Sequence, residues 1–132
     1  MERRYLNSKI HKAIVTDSNI DYEGSCEIDV ALLKAANICP YEQIDIYDIS
    51  NGERLSTYAI PGKPDTGIVA VNGAACHKIN VNDQIIICTY CMLKDNEYVN
   101  HRPTIVYVDE LNNIIDKPLS LIHISEPTRP LY

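Results

Sequence analysis

The sequence predicts a mainly β fold, in which short strands and a few short helices form a small barrel and not an open sheet. Short apolar or alternating segments recur along the chain, and turn residues separate them. Only one segment has the composition of a longer helix. The 132 residues suit one domain, and we find no internal repeat and no linker.

The composition argues against several classes of protein. The formal net charge is −6 and no run of Lys or Arg is present, which argues against nucleic-acid binding. No apolar run is long enough to span a membrane, and the polar start Met1–Arg4 lacks the apolar segment of a signal peptide. The five cysteines are an odd number without secretory context, so we expect reduced thiols in a cytoplasmic protein.

The first strand is predicted over Met1–Val15, where Tyr, Ile and Val favour extended structure. Lys9 and His11 are two residues apart and therefore share one face of this strand. Thr16–Tyr22 is polar and contains turn residues.

One helix is predicted over Asp29–Asn37. Asp29 is a good N-cap, the following Ala and Leu residues favour helix, and Pro40 forbids continuation. We expect this helix to cover an open end of the small β domain.

A hairpin is predicted next. Gln43–Ile49 alternates polar and apolar residues, which indicates a half-buried strand, and Asn51-Gly52 is the strongest signal for a two-residue turn. The return strand, Glu53–Ile60, has one face that carries Arg54, Ser56 and Tyr58.

The remaining segments predict three more strands. Pro61–Asp65 is a loop, Gly67–Val71 a short strand and Asn72–Ala75 a tight turn. Gln84–Cys91 is an Ile-rich buried strand, and Pro103–Val108 is the last strand.

The stretch Tyr22–Cys26 holds the most informative chemistry. Gly24 has no Cβ, so it can adopt unusual backbone angles and lets other groups approach its carbonyl closely. The Ser25 hydroxyl lies within reach of that carbonyl. If the fold strains this peptide, the hydroxyl can attack it, and elimination followed by hydrolysis would leave a pyruvoyl group at the new N-terminus. A plain Gly-Ser turn is the alternative.

This stretch, followed by Ile28-Asp29, resembles the processing site of the aspartate 1-decarboxylase family, whose members are pyruvoyl enzymes that make β-alanine. The resemblance extends at the family's spacing over about residues 1–110. Besides the Gly-Ser stretch, it is carried by Lys9–His11, Arg54–Tyr58 and Asn72–Ala75.

The resemblance implies a six-stranded double-psi β-barrel that assembles as a homotetramer with sites between subunits. It implies a proenzyme that cuts itself into residues 1–24 and residues 25 onward, with or without a helper protein. The pyruvoyl group made from Ser25 would form a Schiff base with L-aspartate, and Tyr58 would be the proton donor. β-Alanine and CO2 would be the products, in pantothenate biosynthesis.

The resemblance also implies roles for further residues. Lys9 and Arg54 are the expected clamp for two carboxylates, because a guanidinium binds a carboxylate through two parallel hydrogen bonds and an ammonium adds a charge. Thr57 is expected to contact substrate and, during processing, the Gly24 carbonyl. Alternation places it opposite Tyr58, and a bulge or a site between subunits would reconcile the two. The other expected substrate contacts are Gly73, Ala74 and Ala75, and the residues expected to shape or process the site are Gly24, Glu23, His11, Tyr22 and Asn72.

Two other functions stay open at this point. The chain could be a non-catalytic β-barrel module in which Gly24-Ser25 is only a turn. It could also bind zinc through Cys88 and Cys91 with Cys76-His77, although residues three apart on a strand face opposite ways. We expect no metal, and no motif supports Cys26 as a nucleophile.

Two features depart from the family pattern. Tyr47 stands where many relatives carry Trp, which affects pocket packing. The stretch from Leu119 resembles a translated sequencing adapter. We therefore expect residues 1–118 to form the barrel domain and residues 119–132 to be a non-native tail. A native flexible tail is the alternative.

Overall fold

The computed structural model describes residues 1–116, and the expected tail lies outside them. The predicted mainly β class is confirmed. No helix among the described residues is long and apolar enough to cross a membrane. The strands are β1 (Glu2–Ile14), β2 (Asp17–Asn19), β3 (Cys26–Asp29), β4 (Gln43–Asp48), β5 (Arg54–Gly62), β6 (Val69–Asn72), β7 (Gln84–Lys94), β8 (Thr104–Val108) and β9 (Ile114–Ile115); the helices are α1 (Val30–Ala36), α2 (Asp95–Tyr98) and a 3₁₀ helix (Gly73–His77).

The strands pair in the order β2-β6-β3-β5-β4-β7-β1-β8-β9. The pairs β1–β8, β2–β6 and β3–β5 are parallel, and the other pairs are antiparallel. Residues 1–116 thus contain nine strands in one unclosed sheet, where a six-stranded barrel was expected. The additional strands β2, β3 and β9 are too short to give a period-two pattern, and only their pairing partners define them.

The core is formed by aliphatic side chains from the inner faces of the long strands. Ile10 pairs with Ile87, Ile87 with Ile46, and Ile46 with Leu55, so one row crosses β1, β7, β4 and β5. The three isoleucines are fully buried. Burying one such side chain stabilises the fold by about 1.5–3 kcal/mol.

Helix α1 confirms the helix predicted from the sequence. The Asp29 carboxylate caps it by accepting from the Ala31 N–H, and it also accepts from the backbone N–H groups of Asp65, Thr66 and Gly67. Burial raises the pKa of Asp29, but these donors outweigh burial and lower it overall. Asp29 therefore fastens a distant loop as well as a helix end. The buried face of α1, which contacts β1, β3, β5 and β8, carries Leu32, Leu33 and Ala36.

Two turn predictions were wrong in detail. The β4–β5 connection is longer than a two-residue turn, because Asp48 N–H donates to the Glu53 carbonyl and Gly52 N–H donates to the Asp48 carbonyl. The Asp48 carboxylate also accepts from the N–H groups of Ser50 and Asn51 and so holds the wider loop. The tight turn predicted after Asn72 is instead the start of the 3₁₀ helix.

Candidate active site

Ser25 occupies the most unusual backbone position in the predicted processing stretch. Its φ is 95°, in the region that residues with a Cβ rarely adopt, and the residue is only 3% exposed. Its carbonyl accepts a hydrogen bond of 3.1 Å from the Asn72 N–H. The Gly24–Ser25 peptide is thus followed by a strained residue that β6 holds in place, and such strain is typical of functional sites.

Gly73 packs directly against this peptide. Its φ is +65°, and a Cβ on it would lie 3.0 Å from Gly24 Cα and 3.2 Å from the Tyr22 carbonyl oxygen. A side chain at this position would therefore push the Gly24 segment away. The absence of a Cβ at Gly73 therefore permits the close approach of the Gly24 segment.

A cavity of about 260 Å³ opens beside Ser25. Leu55, Ser56 and Thr57 of β5 all line it. The pairing of β5 with β4 is regular from Arg54 to Tyr58, so Thr57 reaches the cavity without a bulge. The lining residues are Gly24, Ser25, Leu55, Ser56, Thr57, Asn72, Ala74, Ala75 and Lys78.

The predicted cations lie elsewhere, on the outer face of the β1-β7-β4-β5 sheet. The register aligns Lys9 with Cys88, Cys88 with Asp45, and Arg54 with Tyr47 across neighbouring strands. Among residues 1–116, the lining of the Ser25 cavity includes neither Lys9, Arg54 nor Tyr58. Within one chain the predicted site is therefore divided into two groups, of which only one lines the Ser25 cavity.

The comparisons with known proteins decide the family. A family model described as aspartate decarboxylase matches residues 1–115. The chain belongs to the aspartate decarboxylase family. It is 47% identical to the aspartate 1-decarboxylase of Methylibium petroleiphilum, over 86% of this chain and 95% of that protein.

Other relatives of this family match equally broadly. The chain is 50% identical to the aspartate 1-decarboxylase of Psychromonas ingrahamii over 87% of this chain and 91% of that protein. It is 49% identical to that of Tolumonas auensis over 92% of this chain and 99% of that protein. The similarity therefore spans nearly the whole length of these enzymes.

The remaining predicted residues surround these two groups. His11 stacks edge-on against Tyr107, and its pKa is lowered by burial first and then by the charges of Lys9 and Lys12. Tyr22 and Glu23 are exposed just before Gly24. His11 therefore lies with the outer cations, while Tyr22 and Glu23 lie in the segment that precedes Ser25.

Sequence reasoning missed one charged residue in the Ser25 cavity. Lys78 follows the 3₁₀ helix and lines the cavity, and its Nζ lies 3.5 Å from the Glu53 carboxylate at the mouth of the β4–β5 hairpin. Its backbone carbonyl also accepts a hydrogen bond from the Asn51 side chain. No motif marks Lys78, and only the contact between the hairpin and the 3₁₀ helix brings it to the site.

The cysteines do not form a metal centre in the part of the chain that the structure describes. Residues 1–116 contain no group of three or more His, Cys, Asp or Glu side chains that could hold a metal ion. All five thiols are free. Burial, and next the charge of Glu27, raises the pKa of Cys26 to about 12, so this neighbour of Ser25 stays protonated and is a poor nucleophile.

Proposed function

We propose that this chain cuts itself between Gly24 and Ser25 and then decarboxylates L-aspartate to β-alanine and CO2, the reaction that supplies β-alanine for pantothenate. Membership of the aspartate decarboxylase family supports the reaction. The observation that carries self-cleavage is the strained, buried Ser25 next to Gly24, against which Gly73 packs without a side chain.

The proposed cleavage proceeds in three balanced steps. The Ser25 Oγ attacks the Gly24 carbonyl carbon, the C–N bond breaks as the C–O bond forms, and the Ser25 nitrogen takes the hydroxyl proton. Loss of the Ser25 Cα proton then breaks the Cβ–O bond and releases the Gly24 carboxylate. Water finally hydrolyses the resulting dehydroalanine, so that its nitrogen leaves as ammonia and a carbonyl oxygen takes its place. Thr57 lies in the same cavity and is proposed to act on the Gly24 carbonyl.

The residues of the Ser25 cavity fit a pyruvoyl group. A group made from Ser25 needs little extra room, and Ala74 and Ala75 leave space for a small amino acid beside it. A pyruvoyl carbonyl condenses with the amine of an amino acid and withdraws electrons from the α-carbon of that amino acid, which eases loss of CO2. The Tyr58 phenol is proposed to protonate that carbon, while Lys9 and Arg54 bind the carboxylates. Gly73, Ala74 and Ala75 offer backbone contacts, and Asn72, His11, Tyr22 and Glu23 shape the site.

We further propose that each site forms between two copies of the chain. The division between the Ser25 cavity and the outer sheet face supports this, because a partner that docks its outer face on the cavity would bring the cations to Ser25. A homotetramer of double-psi β-barrels meets this requirement. The parallel pairs β1–β8 and β3–β5 within a mainly antiparallel sheet support such a barrel.

The domain and its location complete the proposal. Residues 1–118 would form the barrel and residues 119–132 would be dispensable, in a cytoplasmic protein that acts without a membrane or nucleic acid. Deletion of residues 119–132 should then leave cleavage unchanged. A helper protein that speeds cleavage is a further partner to test by adding host extract.

Denaturing mass spectrometry tests self-cleavage. We expect wild-type protein to give two fragments split at Gly24/Ser25, with a pyruvoyl mass at the start of the larger one. Ser25→Ala should stay intact and make no β-alanine from aspartate. A wild-type chain that stays whole, with and without host extract, would refute the proposal and favour a non-catalytic module.

Mixed oligomers test the shared site. Ser25→Ala and Arg54→Ala are each expected to be inactive, but together they should regain part of the activity, because some sites combine an intact Ser25 with an intact Arg54. Lys9→Ala mixed with Arg54→Ala is the control, since both changes affect the same outer face. Equal activity in the two mixtures would contradict a site between copies.

A further inference from the structure

The Arg54 guanidinium rests on an aromatic ring of the neighbouring strand. Its Cζ lies 4.4 Å from the centre of the Tyr47 ring, and the two residues are direct partners across β4 and β5. A guanidinium stacked on a ring keeps its N–H donors pointing outward around its edge. The stack therefore sets the plane of Arg54 without using its hydrogen-bonding groups.

A second tyrosine fixes the ring of the first. The hydroxyl oxygens of Tyr47 and Tyr90 lie 2.6 Å apart, and either can be the donor. Tyr90 lies on β7, and burial first, then the bond to Tyr47, raises its pKa well above the usual value. The Tyr90 hydroxyl therefore stays protonated at physiological pH, and its hydrogen bond to the Tyr47 hydroxyl restrains rotation of the Tyr47 ring beneath Arg54.

The N–H groups of Arg54 are available for a ligand. Among residues 1–116, the ion pairs involve other cations, and no described group accepts a hydrogen bond from Arg54. Asp45 lies on the same face, but its carboxylate accepts a 2.5 Å hydrogen bond from the Ser56 hydroxyl. Arg54 is thus oriented by stacking and is not neutralised within its own chain.

We propose that Tyr47 and Tyr90 are positioning residues, which hold the Arg54 guanidinium in one plane so that it binds a substrate carboxylate through two parallel hydrogen bonds. The proposal rests on the proposed function, because it assumes that Arg54 contacts aspartate. Under this proposal the two phenol groups increase the affinity for substrate without touching the reacting atoms. Restraining Arg54 before binding reduces the entropy lost when substrate binds.

Kinetics of purified, cleaved variants test the proposal. Tyr90→Phe removes one hydroxyl, and we expect KM for aspartate to rise about threefold while kcat changes by less than about twofold. Tyr47→Phe should have the same effect, and the double variant should be no worse than either, because one shared hydrogen bond is lost. Tyr47→Leu also removes the stack and should raise KM about tenfold.

Two comparisons separate positioning from a general structural role. On an Arg54→Lys background, which keeps the charge but has no planar guanidinium to orient, Tyr47→Leu should raise KM much less than in the parent. Tyr5→Phe is the matched control, because the Tyr5 ring stacks instead on Tyr98, and its KM should equal that of the parent.

The possible failures are distinguishable. A parent that makes no β-alanine refutes the proposed function and this inference with it. If the parent decarboxylates aspartate, two results would overturn the positioning role alone. One is an unchanged KM in Tyr90→Phe, and the other is an equal effect of Tyr47→Leu on KM in both backgrounds.

Discussion

Asp48 offers a prediction that runs against the usual expectation for a buried residue: its replacement by Asn should stabilise the fold at neutral pH. Asp48 is 2% exposed, and its Oδ2 is buried without a donor among the described residues. The carboxyl group of Asp83 lies within hydrogen-bonding reach of it. The two acids must therefore share a proton or repel each other.

The magnitude follows from the pKa of Asp48. Burial first, and then the Asp83 carboxyl group, raises this pKa from 3.8 to about 6. Because the folded pKa lies above the unfolded one, the stabilising contribution is complete below about pH 4 and is lost as pH rises through about 6. At about 1.4 kcal/mol per pKa unit, the loss is at most roughly 3 kcal/mol. Asp83 is partly exposed, so solvent screening reduces the expected value to about 1–2 kcal/mol.

Asn at position 48 keeps the useful contacts and removes the charge. Its carbonyl oxygen can still accept from the N–H groups of Ser50 and Asn51, and its amide can donate to Asp83. We expect Asp48→Asn to raise the free energy of unfolding by about 1–2 kcal/mol above pH 7 and to change it little near pH 4.

Urea unfolding at fixed protein concentration, from pH 4 to pH 8, measures this difference. The Ser25→Ala background keeps the chain uncut, so that one species unfolds. Asp21→Asn, an exposed aspartate, is the control and should show no such pH dependence. A constant difference between Asp48→Asn and its parent at every pH, or a loss of stability at pH 8, would refute the shared-proton interpretation.

Three further predictions concern the site and the fold. Gly73→Ala should slow or block self-cleavage without unfolding the protein, because the new Cβ would lie 3.0 Å from Gly24 Cα; the uncut fraction by mass spectrometry measures this, and normal cleavage would contradict it. Asn112→Ala should lower the free energy of unfolding by about 2–4 kcal/mol in urea, since the buried amide makes three hydrogen bonds to the backbone of Ile14 and Gly67; a change below about 1 kcal/mol would contradict that role. Lys78→Met should raise KM for aspartate severalfold with little effect on stability, because its ion pair with Glu53 is exposed; an unchanged KM would remove Lys78 from the site.

The local sequence pattern was sufficient to predict the longer strands and the helix. The strict alternation in Gln43–Asp48 and the capped, Ala-rich segment that forms α1 were confirmed, because both signals come from neighbours in sequence. The short strands β2, β3 and β9 were not predicted. Two to four residues cannot display a period, and their conformation depends on partners far along the chain.

Thr57 shows what the sequence could not predict about the site. Alternation correctly placed it opposite Tyr58, yet the sequence alone made that position seem inconsistent with a role beside Ser25. In the structure Leu55, Ser56 and Thr57 line the Ser25 cavity and Tyr58 does not. A site between two copies, which the resemblance also implied, would remove the conflict.

Side-chain chemistry and short-range spacing were enough to predict the mainly β class, the helix with its N-cap, and the residues that carry the family resemblance. Which residues come into contact depends on the tertiary structure. The unusual φ of Ser25, the approach of Gly73 to Gly24, the Tyr47–Tyr90 pair beneath Arg54 and the paired acids at Asp48 all depend on strand pairing between distant segments. Such pairing is set by the packing of the whole core, and no local segment of the chain contains that information.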